Sequence, residues 1–267
     1  MTKTRETCFI LGSGASLNNL TPEETKYLNE HPRILAFNKY LLFWDELGII
    51  PTDFFLADRH FPAHIVFARS VQISRQLQKP ISIYLDDFYS KYCSPQPWQI
   101  INGIRHRLII WGKYRFWIPF RIIGTQVNYV HNILANDRPF HWAATLGEPL
   151  CFYRGSLSSA INLATIIYPG CNIRLLGVDL NTNEYFYGDR IKEYPELLDR
   201  FYFLGDKAGK HPTIMGEGPH SSILNVIPEI VNHLRTLRIE LTCSNPESLL
   251  VTKGICRYLP VLDDGEG

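Results

Sequence analysis

Short apolar runs alternate with longer amphipathic ones along the chain, and turn residues sit between them. "TCFIL" predicts a strand, and "TPEETKYLNEHP" predicts a helix capped by Thr21 with Pro22 at its first position. "RILAF" ending at Asn38, "DFFLAD" ending at Asp58 and "PISIYL" predict three further strands, each continuous in hydrophobicity, as strands buried on both faces are. Later, "SLSSAINLATIIYPG" reads as a helix with serines at its start and a Pro-Gly stop, followed at once by the strand "NIRLLGVD". "SSILNVIPEIVNHLRTL" reads as a helix interrupted or kinked at Pro228, and "RIELTCS" as a last strand. Strands separated by helices imply an α/β fold with a doubly wound, mainly parallel sheet, whose ligands sit beyond the carboxyl ends of the strands. Asn38, Asp58, Asp179 and the glycine turn after the first strand are then expected on one rim.

Composition narrows this only slightly. The balance of 27 Lys+Arg against 26 Asp+Glu names no polyanionic partner, so nucleic acid is not expected. The opening "MTKTRETCFILG" is too short in apolar residues for a secretory signal, and no run approaches the roughly 20 residues of a membrane span. Cysteines at 8, 93, 151, 171, 243 and 256 lack the close pairing of a zinc site or a disulfide scaffold, and read as reduced thiols in a cytoplasmic protein. One segment, residues 100–124, breaks the pattern by mixing Arg105, Arg107, Lys113, Arg115 and Arg121 with Trp111, Tyr114, Phe116, Trp117 and Phe120. It reads either as an insertion whose aromatics pack inward or, over 105–121, as a peripheral contact with an anionic membrane surface.

The candidate chemistry starts at Gly12-Ser13-Gly14-Ala15-Ser16. Gly12 and Gly14 permit positive φ and close backbone approach, and a helix following them would aim free N–H groups at an anion. The dinucleotide fingerprint wants a third glycine where Leu17 stands, and an acidic residue ending the second strand where Asn38 stands, so a nicotinamide domain is not expected. No P-loop pattern is present. His60, His64, His131, His141, His211 and His233 show no metal-binding spacing.

At this point the chain resembles the bacterial sialyltransferases that build sialylated lipooligosaccharide, glycosyltransferase family forty-two. Their opening turn is similar to Gly12 through Leu17, and the asparagine ending their second strand is similar to Asn38. Their helix, strand and Gly-Ile-Asp are similar to "SLSSAINLATIIYPGCNIRLLGVD", and their tyrosine-bearing loop to "NEYFYGD". A histidine-serine pair opening a helix, and a later Cys-x-Asn/Pro-x-Ser-Leu-Leu, are similar to His220-Ser221 and "LTCSNPESLL". The resemblance implies a Rossmann-like sheet of the GT-A-like variant with a small lid, and an inverting transfer from a CMP-activated sugar without metal or resident cofactor. It makes His220 the general base, Tyr185 and Tyr187 candidates to hydrogen-bond the departing phosphate, and Asn38, Ser158, Gly177 and Asp179 donor-binding residues. Ser13 and Ser16 join the donor turn. Residues 1–180 and 221–267 become the nucleotide-sugar domain, 181–220 the lid-like segment and 100–124 the insertion. Partners are a nucleotide-sugar donor and a glycan or glycolipid acceptor, with the protein cytoplasmic or peripheral to the inner membrane and a homo-oligomer left open.

Two departures bear on the donor. Asp58 followed by Arg59 stands where those enzymes have an asparagine, and a carboxylate there repels a sialic acid carboxylate unless Arg59 compensates or the side chain turns away. Ser13 replaces the turn asparagine. The departures leave the donor open between a sialic acid, another CMP-linked sugar such as a Kdo-like or other nonulosonic acid, and a different nucleotide sugar. Two other classes fit the same residues: a magnesium-dependent pterin-type pyrophosphokinase using Asp58 and Asp179 as ligands, and a non-catalytic nucleotide-binding domain of a polysaccharide-synthesis system.

Overall fold

The computed structural model of the chain describes residues 5–59, 81–89, 125–134, 140–194, 212–214 and 222–263, with seven single positions between 60 and 80. Eight strands form one sheet in the order β10-β9-β8-β1-β2-β3-β4-β5, and every neighbouring pair is parallel. They are β1 (Thr7–Leu11), β2 (Ile34–Phe37), β3 (Asp53–Leu56), β4 (Ile81–Asp86), β5 (Thr125–Val130), β8 (Asn172–Leu176), β9 (Leu241–Cys243) and β10 (Arg257–Tyr258). β6 (Asn132–Leu134) and β7 (Leu150–Phe152) form a separate ladder. The chain winds outward from β1 to β5, then returns to the other side of β1 with β8. The switch point of the topology, where such sheets open a crevice, therefore lies between β1 and β8.

Burial on both faces explains the continuous hydrophobicity of the strands. Phe9 and Leu11 of β1 pack with Ile34, Ala36, Phe54 and Leu56 under α1 (Pro22–Glu30) and α2 (Tyr40–Phe43). Cys8 and Ile10 point the other way, joining Leu35, Phe55 and Tyr84 under α3 (Ser156–Ile167) and α4 (Ile223–Thr236). α1 begins as its sequence predicts: Thr21 accepts from the Glu24 N–H at 3.2 Å while Glu24 accepts from the Thr21 N–H at 2.8 Å. Of the two outcomes expected at Pro228, interruption does not occur: α4 runs on through this exposed residue. The five described cysteines are buried free thiols. Among the described residues no helix is long and apolar enough to cross a membrane. Cys93 and the basic aromatic segment 100–124 lie outside the described residues.

Opposite the rim, at the start of β3, sits the buried carboxyl of Asp53. It accepts from the Tyr168 hydroxyl and, at 2.7 Å, from that of Thr52. Burial raises its pKa, and the hydrogen bonds only partly oppose this. A carboxyl whose folded pKa lies above its unfolded value of about 3.9 destabilises the fold as pH rises through that interval. Asp53→Asn removes the charge and can keep, through its amide oxygen, the acceptor that the Tyr168 and Thr52 hydroxyls share. The variant is expected to melt above the parent at pH 7–8, with the gap closing as pH falls toward 4; a gap independent of pH would refute the buried-charge account.

Candidate functional site

The carboxyl ends of β1, β2, β3 and β8 bring the glycine turn, Asn38, Asp58 and the Gly177–Asp179 segment to one edge, as the sequence pattern predicts. The Gly12 N–H donates to the Leu176 carbonyl and the Gly14 N–H to the Gly177 carbonyl, both at 2.8 Å. A Cβ on Gly12 would stand 2.3 Å from the Gly177 carbonyl oxygen, and one on Gly14 would stand 2.3 Å from Asp179 Oδ2. These two glycines are thus demanded by the approach of β1 to β8. Neither adopts positive φ; that conformation falls instead on Gly177 at +62°, facing Leu17. Nor does an α-helix follow directly. The turn enters a short 3₁₀ segment, Ala15–Asn19, whose few residues cannot sum the dipole that an anion-binding terminus requires.

Asp179 closes the crevice. Its carboxylate accepts from the Ser16 N–H at 2.9 Å, from the Ser16 hydroxyl, and from the Asn245 amide at 2.8 Å. Three stretches far apart in sequence are thereby tied at one buried carboxylate. The segment after β8 folds back over this tie: Tyr185 forms an antiparallel bridge with Gly14, and the Phe186 N–H donates to the Ser13 carbonyl at 3.1 Å. Tyr187 is buried, stacked on Phe43 at 4.2 Å and on Tyr185 at 5.2 Å, and burial raises both phenol pKa values. Tyr185 is the more open of the two and lies directly on the turn.

Asn38 takes the left-handed conformation, φ +54°, that asparagine tolerates better than most residues. Its Oδ1 accepts from the Ala57 N–H at 3.1 Å and its Nδ2 donates to the Ser156 hydroxyl at 2.6 Å, so it fastens the end of β3 to the start of α3. Ser158 is fully buried in the first turn of that helix, where its hydroxyl accepts from the Tyr153 N–H at 2.8 Å. Arg59, considered from the sequence as compensating the charge of Asp58 toward an acidic donor, is engaged elsewhere on the rim. The Arg59 guanidinium turns to Asp86, with Nε at 2.8 Å and Nη2 at 3.2 Å from its two oxygens, because that carboxylate is fully buried at the end of β4. His220 lies outside the described residues; the helix it precedes opens at Ile223 with Ser222 as its cap.

One residue escaped the sequence reading. Lys39 is only 8% exposed, and its Nζ stands 3.9 Å from the centroid of the Tyr185 ring. Burial lowers its pKa to about 7, against the opposing charge of Asp58. The available signal was a lone charge inside the apolar stretch "ILAFNKYLLFW". Among the described residues no group of three or more His, Cys, Asp or Glu is arranged to hold a metal ion.

No family model matches the chain, and no curated protein matches it in sequence. Solved structures that share its outline include the sialyltransferase CstII from Campylobacter jejuni in complex with a substrate analogue, CMP-3FNeuAc, at 17% identity and a TM-score of 0.45, covering 96% of this chain and 88% of that one. The sialyltransferase CST-II in complex with trisaccharide acceptor and CMP matches at 14% identity and 0.46 over 96% and 87% of the two chains. A substituted form of CST-II in complex with CMP matches at 15% identity and 0.49 over the same shares.

Proposed function

We propose that the chain is an inverting glycosyltransferase that moves a sialic acid or related nonulosonic acid from a CMP-activated donor to a hydroxyl of a glycan acceptor. The observation that supports it is the convergence of motifs that the family resemblance calls on separately: the glycine turn, Asp179 and Tyr185 are tied together at the topological switch point, and Asn38 stands on the same rim. In this reading Tyr185, with Tyr187 stacked behind it, donates to the phosphate as negative charge grows there, and His220 takes the acceptor proton. No metal is called on, and activity is expected to survive EDTA. The pyrophosphokinase alternative needs Asp179 as a magnesium ligand, whereas its carboxylate is engaged by Ser16 and Asn245.

Thermal-shift measurement against CMP, UDP, GDP, CTP and NAD, with and without magnesium, tests the reading. A ligand held by the native state alone adds about 2.7 kcal/mol at a hundredfold excess over its Kd, or roughly 5–10 °C for a chain of this size. CMP is expected to give such a rise without magnesium and the other nucleotides much less. An equal rise with UDP or NAD, or a rise that appears only with magnesium, would overturn the assignment.

A further inference from the structure

Between Ile34 and Trp44 the chain buries nearly everything, and Lys39 is buried with the rest. A lysine amine leaves water at a considerable cost unless the site returns charge or hydrogen bonds to it. Part of the return comes from the face of the Tyr185 ring at 3.9 Å and from the negative charge of Asp58 at the end of the neighbouring strand. The ring contact keeps the amine on the rim, at the junction of the β2 and β3 ends with the segment that bridges Gly14, and the charge of Asp58 acts on it there.

The placement matters because of what the reaction does to charge. As the bond from the anomeric carbon to the phosphate oxygen breaks, its electron pair stays on that oxygen and a monoanionic diester becomes a dianionic monoester. The acceptor oxygen makes the new bond to carbon, and its proton passes to a base. Without a metal, the second negative charge must be met by the protein's own donors. A tyrosine offers a neutral hydrogen bond; an ammonium beneath it offers a full charge, at a place where water screens little.

We propose that Lys39 is a catalytic residue of this site, its ammonium receiving the phosphate that links nucleotide to sugar and holding it as it departs. Asp58 and the Tyr185 ring then act as positioning groups that keep the amine there in the empty enzyme. This also gives Asp58 a role that does not oppose an acidic donor, since its charge acts on Lys39 while Arg59 turns to Asp86. The inference rests on the CMP-sugar reading above. The low pKa of the buried amine adds a consequence: an arriving phosphate, being anionic, restores the proton, so phosphate binding is coupled to proton uptake at neutral and alkaline pH.

Titration calorimetry of CMP and of cytidine, with the parent and Lys39→Met, decides it. Methionine has nearly the same length and no charge to desolvate, so the variant is expected to fold and to melt no lower than the parent. CMP affinity is expected to fall roughly 10–100-fold in the variant, the range for losing a charged hydrogen bond, while cytidine affinity stays within about twofold. Between pH 7.5 and 9.5, above the phosphate's own second pKa of about 6, CMP binding to the parent weakens and binding to the variant does not change. Undiminished CMP affinity in Lys39→Met, or an equal loss for cytidine, would overturn the assignment. A parent that binds neither ligand would instead remove the CMP reading, and this inference with it.

Discussion

Gly12→Ala is expected to destabilise the protein by about 3 kcal/mol or more, although Gly12 has an unremarkable backbone conformation. The added carbon would stand 2.3 Å from the Gly177 carbonyl oxygen and 3.0 Å from its carbon. Both are backbone atoms, so no side-chain rotation relieves the contact. The two strands cannot part without loosening the bonds from Gly12 to Leu176 and from Gly14 to Gly177. Gly48→Ala is the informative control: Gly48 has φ +64° but open space around its missing side chain, so only the left-handed strain of about 1–2 kcal/mol applies. Chemical denaturation of both variants should place Gly12→Ala well below Gly48→Ala. The reverse order would mean that the turn yields, and that the β1–β8 junction is not the rigid floor described here.

That pair of glycines shows what the sequence disclosed and what it hid. The strands on the rim were legible because burial on both faces leaves runs such as "CFIL" and "ILAF" uninterrupted, and α1 because Thr21, Pro22 and Glu24 are local capping chemistry. The need for Gly12 and Gly14 was legible as close approach. Its partner was not, because Gly177 lies more than 160 positions away and is reached only through strand order. The partner of Arg59 was hidden for the same reason: the fully buried Asp86 that it binds stands on the next strand, far away in sequence. Lys39 was overlooked because a charge at a strand end usually meets solvent, and only the packing of Tyr185 over it shows otherwise. β5 was missed because "TQVNYV" mixes polar residues into a strand.

Replacing His220 with glutamine is expected to cut turnover by about 10²–10⁴-fold and to leave CMP affinity unchanged. The size follows from the chemistry: the acceptor hydroxyl is a poor nucleophile until its proton has somewhere to go, and an imidazole with a free pKa of about 6.5 accepts it near neutral pH. The pH profile separates this role from that of Lys39. A base must be unprotonated to work, so the parent loses activity as pH falls through the histidine pKa, and that acid limb should vanish with the His220→Gln variant. An anion-binding amine must be protonated, so activity falls as pH rises through the pKa of Lys39, about 7 in the empty site and higher once a bound phosphate draws the proton back. The parent profile is therefore expected to be a bell whose limbs belong to different residues, the basic limb disappearing in Lys39→Met and the acid limb in His220→Gln. A His220→Gln variant that turns over at the parental rate would move the base elsewhere. His131 is then the first described histidine to substitute: it follows β5 on the same sheet edge and is oriented by the Asp87 carboxylate at 2.6 Å. Three strand spacings of about 4.8 Å separate β5 from β2, however, which puts His131 roughly 14 Å from the strand that carries Lys39. A base must lie within about 3 Å of the hydroxyl it deprotonates, next to the carbon that the phosphate is leaving. That separation argues against His131 as the base.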